Sequence, residues 1–454
     1  MSSIGASSGT RSARDRSRDF WKFWTGETIS SLGSSFTQFA LPLLVFKLTG
    51  SALNLGIAFA FSFSPYLLFG LVIGAWVDRL DRKRVMILAD IGQAIVISVL
   101  PALFLLGVLN IWWVYGVAFL STTIHIFTDS SQFAAIPSLV DQSDLITANG
   151  RIQASFFGAT ILGPVLAGAL IFVIPVPTLL FFDAATFLVS ATMLSQIARS
   201  FNMAATRVGE RQRTSLRRDM TDGLRYVFGH PVLRNLSILL ALANGLAAIR
   251  ESQLVVLAEQ RLQASDFQFG LINAAAGAGV VIFSLLAGRL RKRGGLVRLG
   301  LLAMQVGGLA TIAMAFSPTI WIAMPLWALV FGTDNLFNIC SSTLRQGMVP
   351  NELLGRVRTI ATMMSLGAFP VGALLGGAVT NATGNVGLIY AAVGALIFLL
   401  VTAFSFPIVA DAKRLRIGEY AHQAPQLHEA PAAVIGEVAA AAEREDEAVQ
   451  PTMP

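Results

Sequence analysis

Residues 74–84 read GAWVDRLDRKR, and residues 284–293 read SLLAGRLRKR. Each string closes a long apolar run and opens a short basic turn. The two align without a gap, Arg79 on Arg289 and Lys83 on Arg293, with Gly288 where the first string has Asp78. A second pair of strings repeats the relationship: LGPVLAG (162–168) and FPVGALLGG (369–377), each preceded by a proline-bearing loop, Pro137 and Pro350. The chain is therefore written twice. Duplicated halves of apolar segments are the sequence mark of a rocking transporter, with the substrate site between the halves near the membrane midplane.

Composition agrees. Of 454 residues, 54% are hydrophobic and 13% charged, with a mean hydropathy of +0.67; globular domains carry about 25% charged residues. A water-soluble fold could not hide so much apolar surface. A spanning helix takes about 20 apolar residues, so twelve need roughly 240. Twelve spans are read at 20–46, 54–77, 84–107, 111–133, 153–174, 178–199, 235–257, 267–288, 297–316, 320–342, 357–380 and 386–409. The predicted fold is all-α, with two six-helix pseudo-repeats. It divides into a polar basic N-terminal tail (1–19), a first bundle (20–199), a central loop (200–234), a second bundle (235–409) and a disordered C-terminal tail (410–454). In the central loop Leu216, Met220, Leu224 and Val227 recur at spacings of three and four, which predicts an amphipathic helix on the membrane face.

Orientation follows from the cations. With both termini on one side, that side holds all but Lys47, Arg250 and Arg261 of the 33 lysines and arginines. The positive-inside rule makes that side cytoplasmic and predicts a multi-pass protein of the plasma (bacterial inner) membrane. The +7 net charge is then topology charge beside anionic lipid, not a nucleic-acid patch. One cysteine, Cys340, cannot form an intrachain disulfide.

Ionisable residues within spans are the candidate proton or substrate groups, because a charge there is costly. Glu27 lies in span 1 among Thr25, Thr28, Ser30 and Ser31 and is the first candidate to carry a proton; the alternative places it at headgroup level beside Lys22. Arg250 and Glu251 are adjacent in span 7, about 100° apart around the helix, so at least one is expected to face the cavity. Asp334 and Asn338 share a face of span 10, as a cavity wall or as interhelical hydrogen bonding. His125 and Asp129 share a face of span 4, as a proton relay or a structural pair. Asp183 reads as structural, and Asp90 as a partner for the nearby basic loop. Aromatics such as Phe36, Phe39, Phe61, Phe63, Phe127, Phe133, Trp327, Phe331 and Phe337 are candidates for an apolar cavity lining, and Trp112 and Trp113 for interface anchors. There is no GxxxxGK[ST], no HExxH and no His/Cys cluster, so ATP hydrolysis and a metal centre are not indicated, and no cofactor is expected. An ion gradient is the remaining energy source. Scattered carboxylates without an oxygen cage favour protons.

The GxxxDRxxR[RK] pattern of Gly74, Asp78, Arg79, Arg82 and Lys83 resembles the signature of the major facilitator superfamily. The strings FWKFWTGETISSLGS (20–34), IPSLVDQSDLITANGR (136–151), FFDAATFLVSA (181–191) and GLRYVFGHPVLR (223–234) resemble the branch that holds macrolide efflux proteins and the enterobactin exporter. The resemblance covers 20–409. It implies that Asp78 contacts the start of span 11, which carries Arg356 and Arg358, and that this contact favours the outward-open state. Plain positive-inside charge accounts for Arg82 and Lys83 taken singly. Gly158, Gly163, Pro164 and Gly168 resemble the antiporter motif of drug exporters, with the glycines expected to pack against the other half. The reading that results is a non-enzymatic, monomeric, proton-coupled exporter of amphipathic small molecules such as macrolides, drugs or siderophores. The alternatives are an importer or lysophospholipid flippase of the same fold, and a non-transporting sensor or scaffold.

Overall fold

The structure, a computed structural model, describes residues 4–77, 79–141, 144–201, 216–349 and 351–414. Among them there is no strand, and twelve helices are long and apolar enough to cross a membrane. The first half contributes α1 (Ile4–Thr49), α2 (Ala52–Val77), α3 (Arg82–Leu105), α4 (Ile111–Leu139), α5 (Leu145–Leu170) and α6 (Leu180–Ser195). A connecting helix, α7 (Leu216–Gly229), precedes α8 (Pro231–Ser252), the short α9 (Leu254–Val256), α10 (Asp266–Gly294), α11 (Leu296–Ala315), α12 (Ile320–Met348), α13 (Asn351–Thr383) and α14 (Val386–Arg414). Both described ends and α7 lie on one face, called here the terminus face.

Local chemistry sets the boundaries. Asp81 caps α3 by accepting the Arg84 backbone N–H at 3.1 Å, Asn110 caps α4, and Ser265 with Gln268 forms a capping box at α10. Gly50, at φ +61°, supplies the left-handed residue that lets α1 turn back into α2. Several limits differ from the sequence reading, two of them most clearly. Helix α1 already begins at Ile4, inside the stretch read as a tail, and span 7 ends at Ser252 before passing into α9 and a π-turn, Leu257–Arg261. The break falls at Gln253, whose amide donates to the Ala52 carbonyl on α2 at 3.2 Å. The tail expected at 410–454 lies outside the described residues beyond Arg414.

The packing has the symmetry that the repeats imply. In the first half α1 packs on α5 and α6, α3 on α4 and α6, and α2 on α4. In the second, α8 packs on α13 and α14, α11 on α12 and α14, and α10 on α12. The halves meet through two equivalent pairs, α2 with α13 and α5 with α10.

They do not meet equally at both faces. On the face away from the termini a single apolar core joins Phe39, Leu43 and Leu179 of the first half to Leu257, Ile272, Trp327 and Tyr390 of the second. On the terminus face the cores are separate: Phe23, Met86, Leu139 and Phe201 in one half, Leu239, Phe337 and Val401 in the other. Among the described residues, an apolar core joins the halves at the face away from the termini and none joins them at the terminus face.

Candidate functional site

The seal is built from backbone-to-backbone approach. A Cβ on Gly56 would strike the Ala373 carbonyl, one on Gly377 would lie 2.8 Å from the Ala52 carbonyl, and one on Gly270 would strike the Pro164 carbonyl. Small residues let helices approach this closely in lipid. Polar contacts reinforce the seal. Lys47 at the end of α1 pairs with Asp266 at the start of α10. Glu259 sits beside both; burial raises its carboxyl above the usual carboxylate range, Lys47 opposes the shift, and Asp266 adds to it.

Beneath the seal, Phe63 of α2 stacks on Phe369 of α13 with ring centres 4.8 Å apart, and Phe59 stacks on Phe63 at 4.9 Å. Phe63 was legible as a lining candidate. Phe59 and Phe369 were missed; the i, i+4 spacing of Phe59 and Phe63 was the available signal. Further toward the terminus face, a Cβ on Gly74, Gly158 or Gly288 would meet nothing within 4 Å.

The first-half wall carries a connected polar group. Gln132 Nε2 donates to Glu27 Oε2 at 2.9 Å, tying α4 to α1. Tyr66 of α2 donates its hydroxyl to Asp129 Oδ2 at 3.3 Å, and His125 Nε2 lies 3.3 Å from Asp129 Oδ1. The His125 and Asp129 side chains are about half exposed (45% and 47%), so this pair is not packed into the protein interior. Asp90 is fully buried beside the Ser190 hydroxyl of α6, and its charge acts on Glu27. Pairing of Asp90 with the basic loop, read from sequence, is not what the fold shows. Asp90 shares the inward stripe of α3 with Met86, Gln93 and Ile97. Gln132 and Tyr66 were also missed, although Gln132 follows Asp129 by three residues on one helix face.

The second-half wall is charge-compensated. Arg250, 1% exposed, pairs through Nη2 with Asp334 and reaches Thr311 Oγ1 with Nη1 at 3.5 Å. Tyr390 donates to the Arg250 backbone carbonyl at 2.6 Å. Glu251 is only partly buried and feels both Arg250 and Asp334. Asn338, a turn beyond Asp334, is exposed.

Other expected site residues spread more widely. Asp183 is fully buried and accepts from Thr37 and Ser34 of α1, a bond set that fastens α6 to α1. Gly163 packs on Ser35 of its own half, Gly168 on Phe267 of the other, and Gly158 on neither. Asp78 lies outside the described residues, as does the side chain of Arg356; Arg79 and Arg358 are exposed and Arg82 is buried. Lys83 donates to the Ser195 carbonyl at 3.2 Å and to that of Ile197, and Lys22 to that of Gln196 at 2.8 Å. These two lysines satisfy the orphan carbonyls at the end of α6, where the helix dipole favours cations. Of the other aromatics, Phe36, Phe39, Trp327 and Phe337 are buried in the cores, and Phe133, Trp112 and Trp113 are exposed.

Residues 23–357 match the family model of the Major Facilitator Superfamily. The chain belongs to this superfamily. Among curated relatives of this superfamily member, macrolide efflux protein A of Streptococcus pyogenes is 34% identical over 151 residues, 33% of this chain and 37% of that protein. The alignment thus spans little more than a third of that relative. The multidrug efflux pump Tap of Mycolicibacterium fortuitum is 26% identical over 361 residues, 78% of this chain and 87% of that protein. Among solved structures, the nucleoside transporter NupG superposes with a TM-score of 0.69 at 13% identity, covering 87% of this chain and 99% of that one. A bacterial ferroportin homologue described as inward-facing gives 0.67 at 17% identity, covering 86% and 98%. At these identities the structures speak for the fold alone. The family match and the twelve apolar helices make the chain a multi-pass membrane transporter rather than an enzyme.

Proposed function

We propose that the chain exports amphipathic small molecules in exchange for protons by alternating access. The observation that carries this reading is Glu27: a carboxyl in a membrane-spanning helix, hydrogen-bonded to Gln132 and close to the buried Asp90. Two carboxyls so near each other, with no cation paired to either among the described residues, hold a proton when the site is closed and release it when water enters. The positive-inside rule makes the terminus face cytoplasmic. On that reading the split face is the loading side, open to the cytoplasm and inner leaflet, and the sealed face is the exit. Both walls come from one chain, which supports a monomer as the working unit. Closure of the cytoplasmic side would bring Asp78 to the start of α13, as the family signature implies. The names of the efflux-pump relatives favour drugs or macrolides as cargo.

The test is accumulation of a panel of dyes, macrolides and siderophores in bacteria stripped of their own pumps. Cells expressing the chain should accumulate less of at least one compound. A protonophore or Glu27→Gln should abolish the difference at equal expression. Export that survives both would overturn proton coupling. A lipid substrate with no response across the panel would favour the flippase reading.

A further inference from the structure

We propose that an anionic phospholipid of the terminus-face leaflet binds between the ends of α5 and α10, with its phosphate held by Arg151 and Arg289. The site does not depend on which cargo or ion the chain moves. It rests on the alternating-access reading in one respect, that this face closes during the cycle.

The two halves differ in the turn after their second spanning helix. Residues 74–84 mix two acids, Asp78 and Asp81, with their cations. Residues 284–298 carry Arg289, Arg291, Lys292, Arg293 and Arg298 and no acid, with Gly288 where the first half has Asp78. The second-half turn therefore neutralises none of its own charge. Arg289 is exposed, and so is Arg151 in the second turn of α5. The ion pairs among the described residues engage Lys47, Arg84, His125 and Arg250, and neither Arg151 nor Arg289 is among them.

Both arginines stand where α5 and α10 part. The two helices approach closely as far as Gly277, where a Cβ would lie 2.9 Å from Ile161. Nearer the terminus face, a Cβ on Gly158 or Gly288 would meet nothing within 4 Å. Arg151 lies ten residues before Ile161, about 15 Å along its helix, and Arg289 twelve after Gly277, about 18 Å along its own. They are thus at similar depth on paired helices. Arg151 is held in place: its guanidinium lies 4.9 Å from the ring centre of Trp21 on α1, and its carbonyl accepts from Ser155 Oγ at 3.1 Å. Trp21 is itself exposed, as an indole at headgroup level is. On α10, Ile282, Leu285 and Arg289 share one face and all are exposed, an apolar track that ends in a guanidinium.

Closing this face brings Arg151 toward a turn that holds only cations, and like charges repel. A phosphate between two guanidinium groups turns the repulsion into attraction, and the apolar track takes the acyl chain. A choline headgroup would bring a further cation to the site, so a lipid with net negative charge fits better.

The experiment is native mass spectrometry of the purified full-length chain titrated with phosphatidylglycerol or phosphatidylcholine. Phosphatidylglycerol should fill a saturable site about fivefold or more tighter than phosphatidylcholine. Arg151→Gln and Arg289→Gln should each weaken it about fivefold. Gly288→Asp should do the same by placing an acid where the first half has one, whereas Gly288→Asn, equal in size, should not. Inorganic phosphate in excess should leave the lipid bound. Matched melting temperatures separate a lost site from a lost fold. Equal affinity for the two lipids, wild-type phosphatidylglycerol affinity in both arginine variants or in Gly288→Asp, or displacement by inorganic phosphate would overturn the proposal. Binding needs neither gradient nor cargo, so its failure leaves proton-driven export standing. Failure of the protonophore test leaves the lipid site standing.

Discussion

Lys47 at the end of α1 forms an ion pair with Asp266 at the start of α10, and this pair bridges the two halves only on the face away from the termini. It belongs to the sealed state and must break when the molecule opens there. Its side chains are 41% and 23% exposed, so it contributes about 0.2–1 kcal/mol, a shift of roughly 1.4- to 5-fold between states. Lys47→Gln should shift the population by that factor toward the state open at this face. Electron-resonance distances between labels on the α1–α2 and α13–α14 turns measure it.

Gly56 allows α2 to touch α13 at the Ala373 carbonyl. Gly56→Ala forces backbone apart where no flexible side chain can yield, at a cost of about 1–3 kcal/mol. The sealed state should lose thermal stability. Gly70→Ala on the same helix, where the new methyl meets nothing within 4 Å, is the control and should leave the melting temperature unchanged.

Arg250 is fully buried against Asp334. Arg250→Met leaves that carboxylate and Glu251 uncompensated and should destabilise the chain by about 3–5 kcal/mol. The double variant Arg250→Met with Asp334→Leu should recover most of the loss, because an apolar pair carries no desolvation penalty. Chemical unfolding in detergent compares the two.

Glu259 gives the seal a pH dependence. Its carboxyl is raised by burial, so the sealed state binds a proton more tightly than a state in which Glu259 is solvated. The protonated seal is therefore complete below the usual carboxylate range and weakens as pH rises through the raised value. The same label pair should show a small opening on alkalinisation of this face, absent in Glu259→Gln.

Much of this was legible in the sequence. Hydropathy counts spans, and the repeated basic turns at Arg79 and Arg289 fix the two-half plan. Site pairs were harder to read. The i, i+4 rule put His125 and Asp129 on one face but said nothing of how α4 is rotated in its bundle, and so missed Tyr66. Asp90 looked like a partner for the loop because it is near the loop in sequence, yet the helix turns it inward. Arg250 and Asp334 were each legible as costly intramembrane charges, but their pairing joins α8 to α12 and depends on how those helices pack. Lys83 read as part of a signature; its bonds to the end of α6 depend on where that helix stops.

The most direct test of proton exchange is counterflow in proteoliposomes that enclose a pH-sensitive dye. Addition of a transported compound should move protons in the opposite direction, and Glu27→Gln should move none at equal incorporation. Substrate movement without a proton signal in the wild type, or an undiminished proton signal in Glu27→Gln, would contradict the account.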